Sequence, residues 1–249
     1  MRGMIMASRL SFASVRRWWI VIASAGTFTI LAVIVDLDLL NTFDSIIREW
    51  ARPNDIWGAA QLRADYVVEG LRPPVLAGLL ALFTLVLCVI RRSMRPAVFV
   101  GGVWLITVAL TVVAKMAVGR PDTHGVVESF GGSFPSGHTI SVIVCLGLAV
   151  EVTQHRLGRW VWLIPALVGG LMGVALVVQA AHWSTDVVGG ALLATGVLVA
   201  ASTSGWRQWS HGPHGEHRGR SLSDMKAASS LTLAGSVGTD HEAGSQVAD

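Results

Sequence analysis

Two histidines and one carboxylate stand at the ends of apolar runs in this chain. His138 closes the glycine-rich stretch 131–138 (GGSFPSGH), and Asp186 follows His182 by four residues. An imidazole can serve as a nucleophile or as a proton donor, and a nearby carboxylate fixes its tautomer and raises its basicity. If the second segment is helical, His182 and Asp186 share one face. These residue types predict nucleophilic and acid–base chemistry.

The stretch 131–138 is a glycine-rich turn that opens into a helix. Backbone N–H groups at such a helix start favour an anion such as phosphate, so Ser136 and Gly137 are candidate phosphate ligands. Upstream stand Lys115 and Arg120, whose cationic groups also suit phosphate oxygens. Each signal alone has a plain structural alternative: a capped loop, or a lysine that reaches the headgroups.

The composition is that of a membrane protein. Hydrophobic residues make up 52% of the 249 residues and charged residues only 14%, whereas soluble domains carry about 25% charged residues. Cys88 and Cys145 both lie within apolar runs, which predicts buried free thiols, and neither a disulfide nor a metal site is expected. The remaining candidate metal ligands, three histidines in a polar tail, have no scaffold to fix them: His211, His214 and His217.

The apolar pattern predicts an all-α fold with six membrane-spanning helices. A span requires about 20 mainly apolar residues, and six segments fit this length, although the fourth is short. They cover residues 18–35, 74–90, 97–114, 139–153, 160–181 and 187–201. The first is preceded by a basic segment and is interpreted as an uncleaved anchor.

Arginine-rich connections alternate with arginine-poor ones along these spans. By the positive-inside rule, the basic N-terminus (1–17), the short basic loops and the tail (205–249) are expected in the cytoplasm. The membrane domain then covers 18–204, the tail is predicted to be disordered, and both histidine motifs face outward. The outward segment 36–73 should contain a short amphipathic helix around Phe43–Trp50 with a structural role.

Taken together, the motifs resemble the type 2 phosphatidic acid phosphatase (PAP2) superfamily in its membrane lipid phosphatase branch. The resemblance covers roughly residues 15–201 and rests on Pro-Ser-Gly-His at 135–138, His-x-x-x-Asp at 182–186, and a lysine with Arg-Pro upstream. It implies a six-helix membrane bundle that hydrolyses a lipid phosphate or diphosphate without metal or other cofactor. Candidate substrates are a polyprenyl diphosphate, phosphatidic acid or phosphatidylglycerol phosphate.

The resemblance also implies residue roles. His182 would attack phosphorus and become a phosphohistidine, Asp186 would orient it, and His138 would protonate the leaving oxygen. The phosphate would be held by Lys115, Arg120, Ser136 and Gly137.

Two family arginines are displaced or missing. The family separates its first lysine from Arg-Pro by six residues, whereas four separate Lys115 from Arg120, and Asp122 and Thr123 occupy the usual positions. The third family motif begins Ser-Arg, and here Ala175 and Leu176 take those places. Arg120 is the nearest substitute, with Arg72 as a second possibility.

Three other functions remain open from the sequence. A phosphotransferase would pass the phosphoryl group to an alcohol, and a non-catalytic relative would bind a lipid phosphate or a partner through a weakened site. A transporter is disfavoured because no span is expected to carry the set of buried ionisable residues that such pathways usually need. The sequence favours membrane lipids and a lipid phosphate as partners over nucleic acid, and leaves the oligomeric state undetermined.

Overall fold

The structure of the chain is a computed structural model that describes residues 12–127, 131–153 and 159–203. The first eleven residues of the predicted basic N-terminus and the entire predicted tail 205–249, with its three histidines, lie outside the described residues. Within the described part, eight α-helices follow one another: α1 Phe12–Asp36, α2 Asn41–Ala51, α3 Ala59–Gly70, α4 Pro73–Arg91, α5 Arg95–Val118, α6 Gly137–Thr153, α7 Leu163–Val178 and α8 Ser184–Thr203. The all-α prediction is confirmed.

The six predicted spans correspond to α1 and α4 to α8. Five stretches are long and apolar enough to cross a membrane, and α6, with 17 residues, is the shorter apolar helix expected at the fourth position. The fifth predicted span, α7, ends at Val178 instead of reaching Ala181, because Ala180 has a left-handed backbone (φ 56°) that turns the chain toward His182. The chain is therefore a multi-pass membrane protein.

Helix α6 forms the centre of the bundle. It packs against α4, α7 and α8, and its Val142, Val144 and Leu148 side chains are completely buried. The outward faces of α1, α4 and α5 instead expose large apolar side chains such as Ile30 and Leu79, as expected of helices that face lipid. Both cysteines are buried free thiols, as predicted.

The predicted amphipathic helix in segment 36–73 is observed as α2, with an unusual orientation. Its apolar side chains Phe43, Ile46 and Trp50 are exposed, whereas Asp44 on the opposite face is 1% exposed. An apolar face left outward suits the membrane interface, and the polar face is the one that contacts the protein. Sequence reasoning did not predict the next helix, α3, which packs along α7.

Polar contacts join α3 to the end of α7. The Gln61 amide donates to the Val178 carbonyl oxygen at 3.4 Å, and the Gln179 amide donates to Asp65 at 2.5 Å. The first bond satisfies a backbone carbonyl that the end of α7 would otherwise leave without a partner, and the second joins the side chains of α3 and of the turn after α7. They fix the turn from α7 to α8, which carries His182.

Candidate active site

The loop before α6 is held against the end of α5 by backbone hydrogen bonds. The Gly132 N–H donates to the Lys115 carbonyl at 3.1 Å, and the Ser133 N–H donates to the Arg120 carbonyl at 2.6 Å. A Cβ atom on Gly132 would lie 2.2 Å from the Arg120 nitrogen, and Gly131 has a left-handed φ of 99°. The two glycines are therefore required by this close backbone approach.

Ser136 caps α6 and also joins the two histidine motifs. Its side chain is fully buried, and its Oγ accepts hydrogen bonds from the Thr139 N–H (3.4 Å) and hydroxyl (3.2 Å). Its own N–H donates to the Asp186 carbonyl at 3.0 Å. The next residues, Gly137 and His138, lie in the first turn of α6, where N–H groups have no partner within the helix, and both line a cavity.

His182 and Asp186 form the pair that their spacing predicted. The His182 Nδ1 lies 3.3 Å from Asp186 Oδ2, which also accepts the Trp183 N–H at 3.1 Å. The Asp186 side chain is completely buried, while that of His182 is 12% exposed. A proton on Nδ1 that points at the carboxylate leaves the Nε2 lone pair available for attack.

His138 faces His182 across one cavity. The ring centroids are 6.3 Å apart, and the rings are inclined by 65°. The cavity has a volume of about 320 Å³ and is also lined by Lys115 and by Trp104, Val108 and other apolar side chains of α5. The structure thus brings together one imidazole supported by a carboxylate, a second imidazole, and one cation.

Lys115 is the one lysine among the described residues that line this cavity, and no arginine is among them. Its Nζ donates to the Gly132 carbonyl at 2.6 Å, which directs the ammonium group toward the first turn of α6. An ammonium beside open helix N–H groups attracts an anion from two sides. This position agrees with the phosphate-binding role that the resemblance implies for Lys115.

Arg120 is placed differently from Lys115. It is 6% exposed and is not among the residues that line the cavity. Its Nη1 donates to Asp186 Oδ1 (2.8 Å) and to the Thr185 hydroxyl (2.7 Å), and its Nη2 donates to Asp44 Oδ2 (2.7 Å) and Asn41 Oδ1 (3.3 Å). The guanidinium is thus occupied by protein oxygens behind the His182–Asp186 pair.

Asp44 is a component of the site that sequence reasoning missed. Its two carboxylate oxygens accept from the Ser184 hydroxyl (2.6 Å), the Thr185 N–H (3.1 Å), the Thr185 hydroxyl (2.5 Å) and Arg120. No local signal distinguished it, because it stands among other polar residues on an amphipathic helix. Its partners Ser184 and Thr185 lie about 140 residues further along the chain, and Arg120 lies 76 residues further.

At the positions of the other family motif residues, this chain has side chains that make different contacts. Leu176 is completely buried in the hydrophobic core and does not line the cavity, and Thr123 donates its hydroxyl to the Ala180 carbonyl. Asp122 borders the cavity, where its carboxylate accepts the N–H groups of the loop that follows. Arg72, the second suggested substitute, pairs with Glu69 and is about half exposed.

Comparison with known proteins supports the fold and the family resemblance. Residues 96–210 match the sequence model of the PAP2 superfamily. The fold is similar to the crystal structure of a transmembrane PAP2-type phosphatidylglycerolphosphate phosphatase from Bacillus subtilis, with a TM-score of 0.60 and 20% identity over 73% of this chain and 93% of the other. Comparison with curated proteins gives no match. The matched residues 96–210 carry both histidine motifs, so the comparison supports the resemblance to the PAP2 superfamily that the motifs indicated.

Proposed function

We propose that this protein is a membrane phosphatase that hydrolyses a lipid phosphate or diphosphate through a phosphohistidine on His182. The observation that carries the proposal is the cavity in which His182, backed by Asp186, faces His138 beside Lys115. A nucleophile, its orienting carboxylate, a proton donor and an anion-binding group converge on one space.

The reaction divides into two displacements. In the first, His182 Nε2 forms a bond to phosphorus while the ester oxygen departs with its electron pair, and His138 gives that oxygen a proton. Asp186 accepts a hydrogen bond from Nδ1–H and stabilises the positive charge that develops on the His182 ring. Lys115 and the N–H groups of Gly137 and His138 stabilise the phosphoryl oxygens.

In the second displacement, water replaces the histidine. His138, now unprotonated, takes a proton from the water as its oxygen bonds to phosphorus, and the bond to His182 Nε2 breaks. Inorganic phosphate leaves, and the proton restores the starting state of His138. The residues need no metal for either step in this proposal.

The shape of the cavity supports a lipid substrate. It extends along one face of α5 from Lys115 to Trp104, past Thr111, Val108 and Thr107. Eleven residues of α-helix correspond to about 16 Å, so the cavity continues from the polar end toward the middle of the span. An ester with a long apolar chain can place its phosphate at Lys115 and its chain along α5.

Phosphate release by the purified protein tests this proposal. The assay uses phosphatidic acid, phosphatidylglycerol phosphate, a polyprenyl diphosphate and the water-soluble p-nitrophenyl phosphate, each with a metal chelator present. We expect release from at least one lipid substrate at a far higher kcat/KM than from p-nitrophenyl phosphate. The chelator should not lower the rate. A rate that depends on added metal would contradict the mechanism.

A non-catalytic lipid-phosphate-binding protein is the second candidate. It is favoured by one observation: Arg120 is occupied by Asp44 and Asp186, and Leu176 is apolar, so no arginine is among the described residues that line the cavity with Lys115. Folded protein that binds these lipids but releases no phosphate would establish this alternative. A phosphotransferase would instead convert an added alcohol to its phosphate ester faster than it releases phosphate.

We also propose that the site faces the outside of the membrane and that both termini are cytoplasmic, on the basis of the arginine distribution. Val127 is exposed in the loop near the site, and Met94 is exposed in the turn at the other end of α5. In intact cells, Val127→Cys should react with a membrane-impermeant thiol reagent and Met94→Cys should not. The reverse pattern would place the site in the cytoplasm.

A further inference from the structure

Helix α8 begins with a carboxylate supplied by a distant helix. Asp44 of α2 accepts the backbone N–H of Thr185 and the hydroxyls of Ser184 and Thr185, all in the first turn of α8. A carboxylate at this point satisfies N–H groups that the helix leaves unpaired and opposes the positive end of its dipole. Ser184 and Thr185 lie between His182 and Asp186. By binding them, Asp44 holds the backbone that sets the distance between the His182 and Asp186 side chains.

Asp44 also shares a guanidinium with Asp186. Arg120 donates to Asp44 Oδ2 at 2.7 Å and to Asp186 Oδ1 at 2.8 Å, and all three side chains are 5% exposed or less. The trio contains two carboxylates and one guanidinium and therefore carries one net negative charge. Without the charge of Asp44, Arg120 would neutralise Asp186, and the group would carry no net charge.

This charge matters for the proposed attack of His182. As Nε2 bonds to phosphorus, the imidazole ring becomes cationic, and its Nδ1–H points at Asp186 Oδ2. A net negative trio behind the ring stabilises that cation, whereas a neutral trio does not. We propose that Asp44 is a positioning residue of the site, which keeps Asp186 effectively anionic toward His182 and fixes the start of α8; this inference rests on the proposed function.

A comparison of variants can separate the proposed effect of the net charge from a purely structural role of Asp44. Asp44→Asn keeps the shape of the side chain and makes the trio neutral, so phosphoenzyme formation should slow by roughly tenfold to a hundredfold. The double variant Asp44→Asn/Arg120→Gln leaves Asp186 as the one charge of the trio and restores the net negative charge. It should form phosphoenzyme at least about tenfold faster than Asp44→Asn. The effect should fall on kcat and not on KM, because Asp44 does not line the cavity.

A matched control lies on the same helix. Glu49 is an exposed carboxylate of α2 that accepts the Asn54 N–H, and Glu49→Gln should retain wild-type kcat. Asp44→Asn with wild-type kcat would overturn the inference, as would a folded double variant slower than Asp44→Asn.

If Asp44→Asn does not fold, the double variant should still fold. It should form phosphoenzyme faster than Arg120→Gln alone, which leaves two carboxylates without their shared cation. A folded double variant without activity would then overturn it.

A second readout is independent of turnover. Diethyl pyrocarbonate modifies unprotonated imidazoles, and mass spectrometry can follow His182 relative to the exposed His124 in the same molecule. Asp44→Asn should slow modification of His182 but not of His124, because a neutral trio makes the imidazole less electron-rich. If wild-type protein hydrolyses no lipid phosphate, the proposed function fails, but the ratio of His182 modification to His124 modification still decides the role of Asp44. A ratio in Asp44→Asn that equals or exceeds the wild-type ratio overturns that role.

Discussion

The N-termini of α6 and α8 both lie next to a histidine of the site, yet only one is left open to a ligand. At α8, the first turn is filled by protein carboxylates: Asp44 accepts the Thr185 N–H, and Asp186 accepts the Trp183 N–H. At α6, the residues Gly137 and His138 border the cavity. Both helix starts attract anions for the same physical reason. In our proposal, the substrate anion binds at the helix start to which no other described helix supplies a carboxylate.

The same contrast separates the two basic residues near the end of α5. Lys115 points at the open start of α6, whereas Arg120 points at the filled start of α8. A cation beside the open helix start adds to its attraction for phosphate. A cation beside the filled one is neutralised by the carboxylates already there. Position in the fold, more than residue type, therefore separates phosphate binding from positioning in our proposal.

The largest expected effect comes from replacing the proposed nucleophile, His182, next to the start of α8. His182→Ala should lower turnover by roughly a thousandfold or more and abolish an acid-labile phosphoenzyme, because the covalent route requires its nitrogen. Acid-quench labelling with a radioactive substrate measures both. His124→Ala is the matched control, since His124 is exposed outside the cavity, and it should retain full turnover. Undiminished turnover in His182→Ala would exclude the phosphohistidine mechanism.

Replacing the proposed proton donor, His138, at the start of α6 should have a smaller effect that depends on the substrate. We expect His138→Ala to lower turnover of a lipid ester by about a hundredfold to ten-thousandfold, the usual contribution of general acid–base catalysis. The loss of phosphoenzyme formation should be much smaller for p-nitrophenyl phosphate, whose leaving group needs no proton. Equal losses for the two substrates would argue that His138 binds phosphate and does not act as an acid.

Removing the cation at the open helix start should cost about a hundredfold in kcat/KM. Lys115→Met eliminates a preorganised charge beside the phosphoryl oxygens, and Lys115→Arg should recover part of the loss by restoring the charge. Initial rates across a substrate range separate kcat from KM. If Lys115→Met and wild type have the same kcat/KM, Lys115 does not contact the phosphate, and its bond to Gly132 is its role.

The smallest effect concerns stability and compares two glycines of the stretch 131–138, one in the loop and one at the start of α6. Gly132→Ala should lower the free energy of unfolding by about 1–3 kcal/mol, since its Cβ would collide with the Arg120 backbone. Gly137→Ala should change it much less, because the nearest atom to its Cβ is Lys115 Cε at 4.0 Å. Thermal unfolding in detergent measures both. Equal stability of the two variants would mean that the loop adapts to a side chain at Gly132.

Much of the fold could be predicted because its signals are local. The lengths and apolar character of α1 and α4 to α8 follow from runs of residues within each segment, and the membrane environment requires such runs to be helical. The pairing of His182 with Asp186 was also local, because four residues separate them. The amphipathic helix α2 was visible in its spacing, but its orientation was not, since either face could have turned inward.

The part of the site that the sequence alone determined is the set of residue types at short spacing: His138 at a glycine-rich helix start, and His182 with Asp186. The tertiary structure decided which cation faces the cavity and which is consumed by carboxylates. Arg120 is five residues from Lys115, yet it turns to Asp44, some 76 residues earlier in the chain. Contacts at that separation depend on how α2 packs against the bundle, and no local pattern of residues encodes that packing.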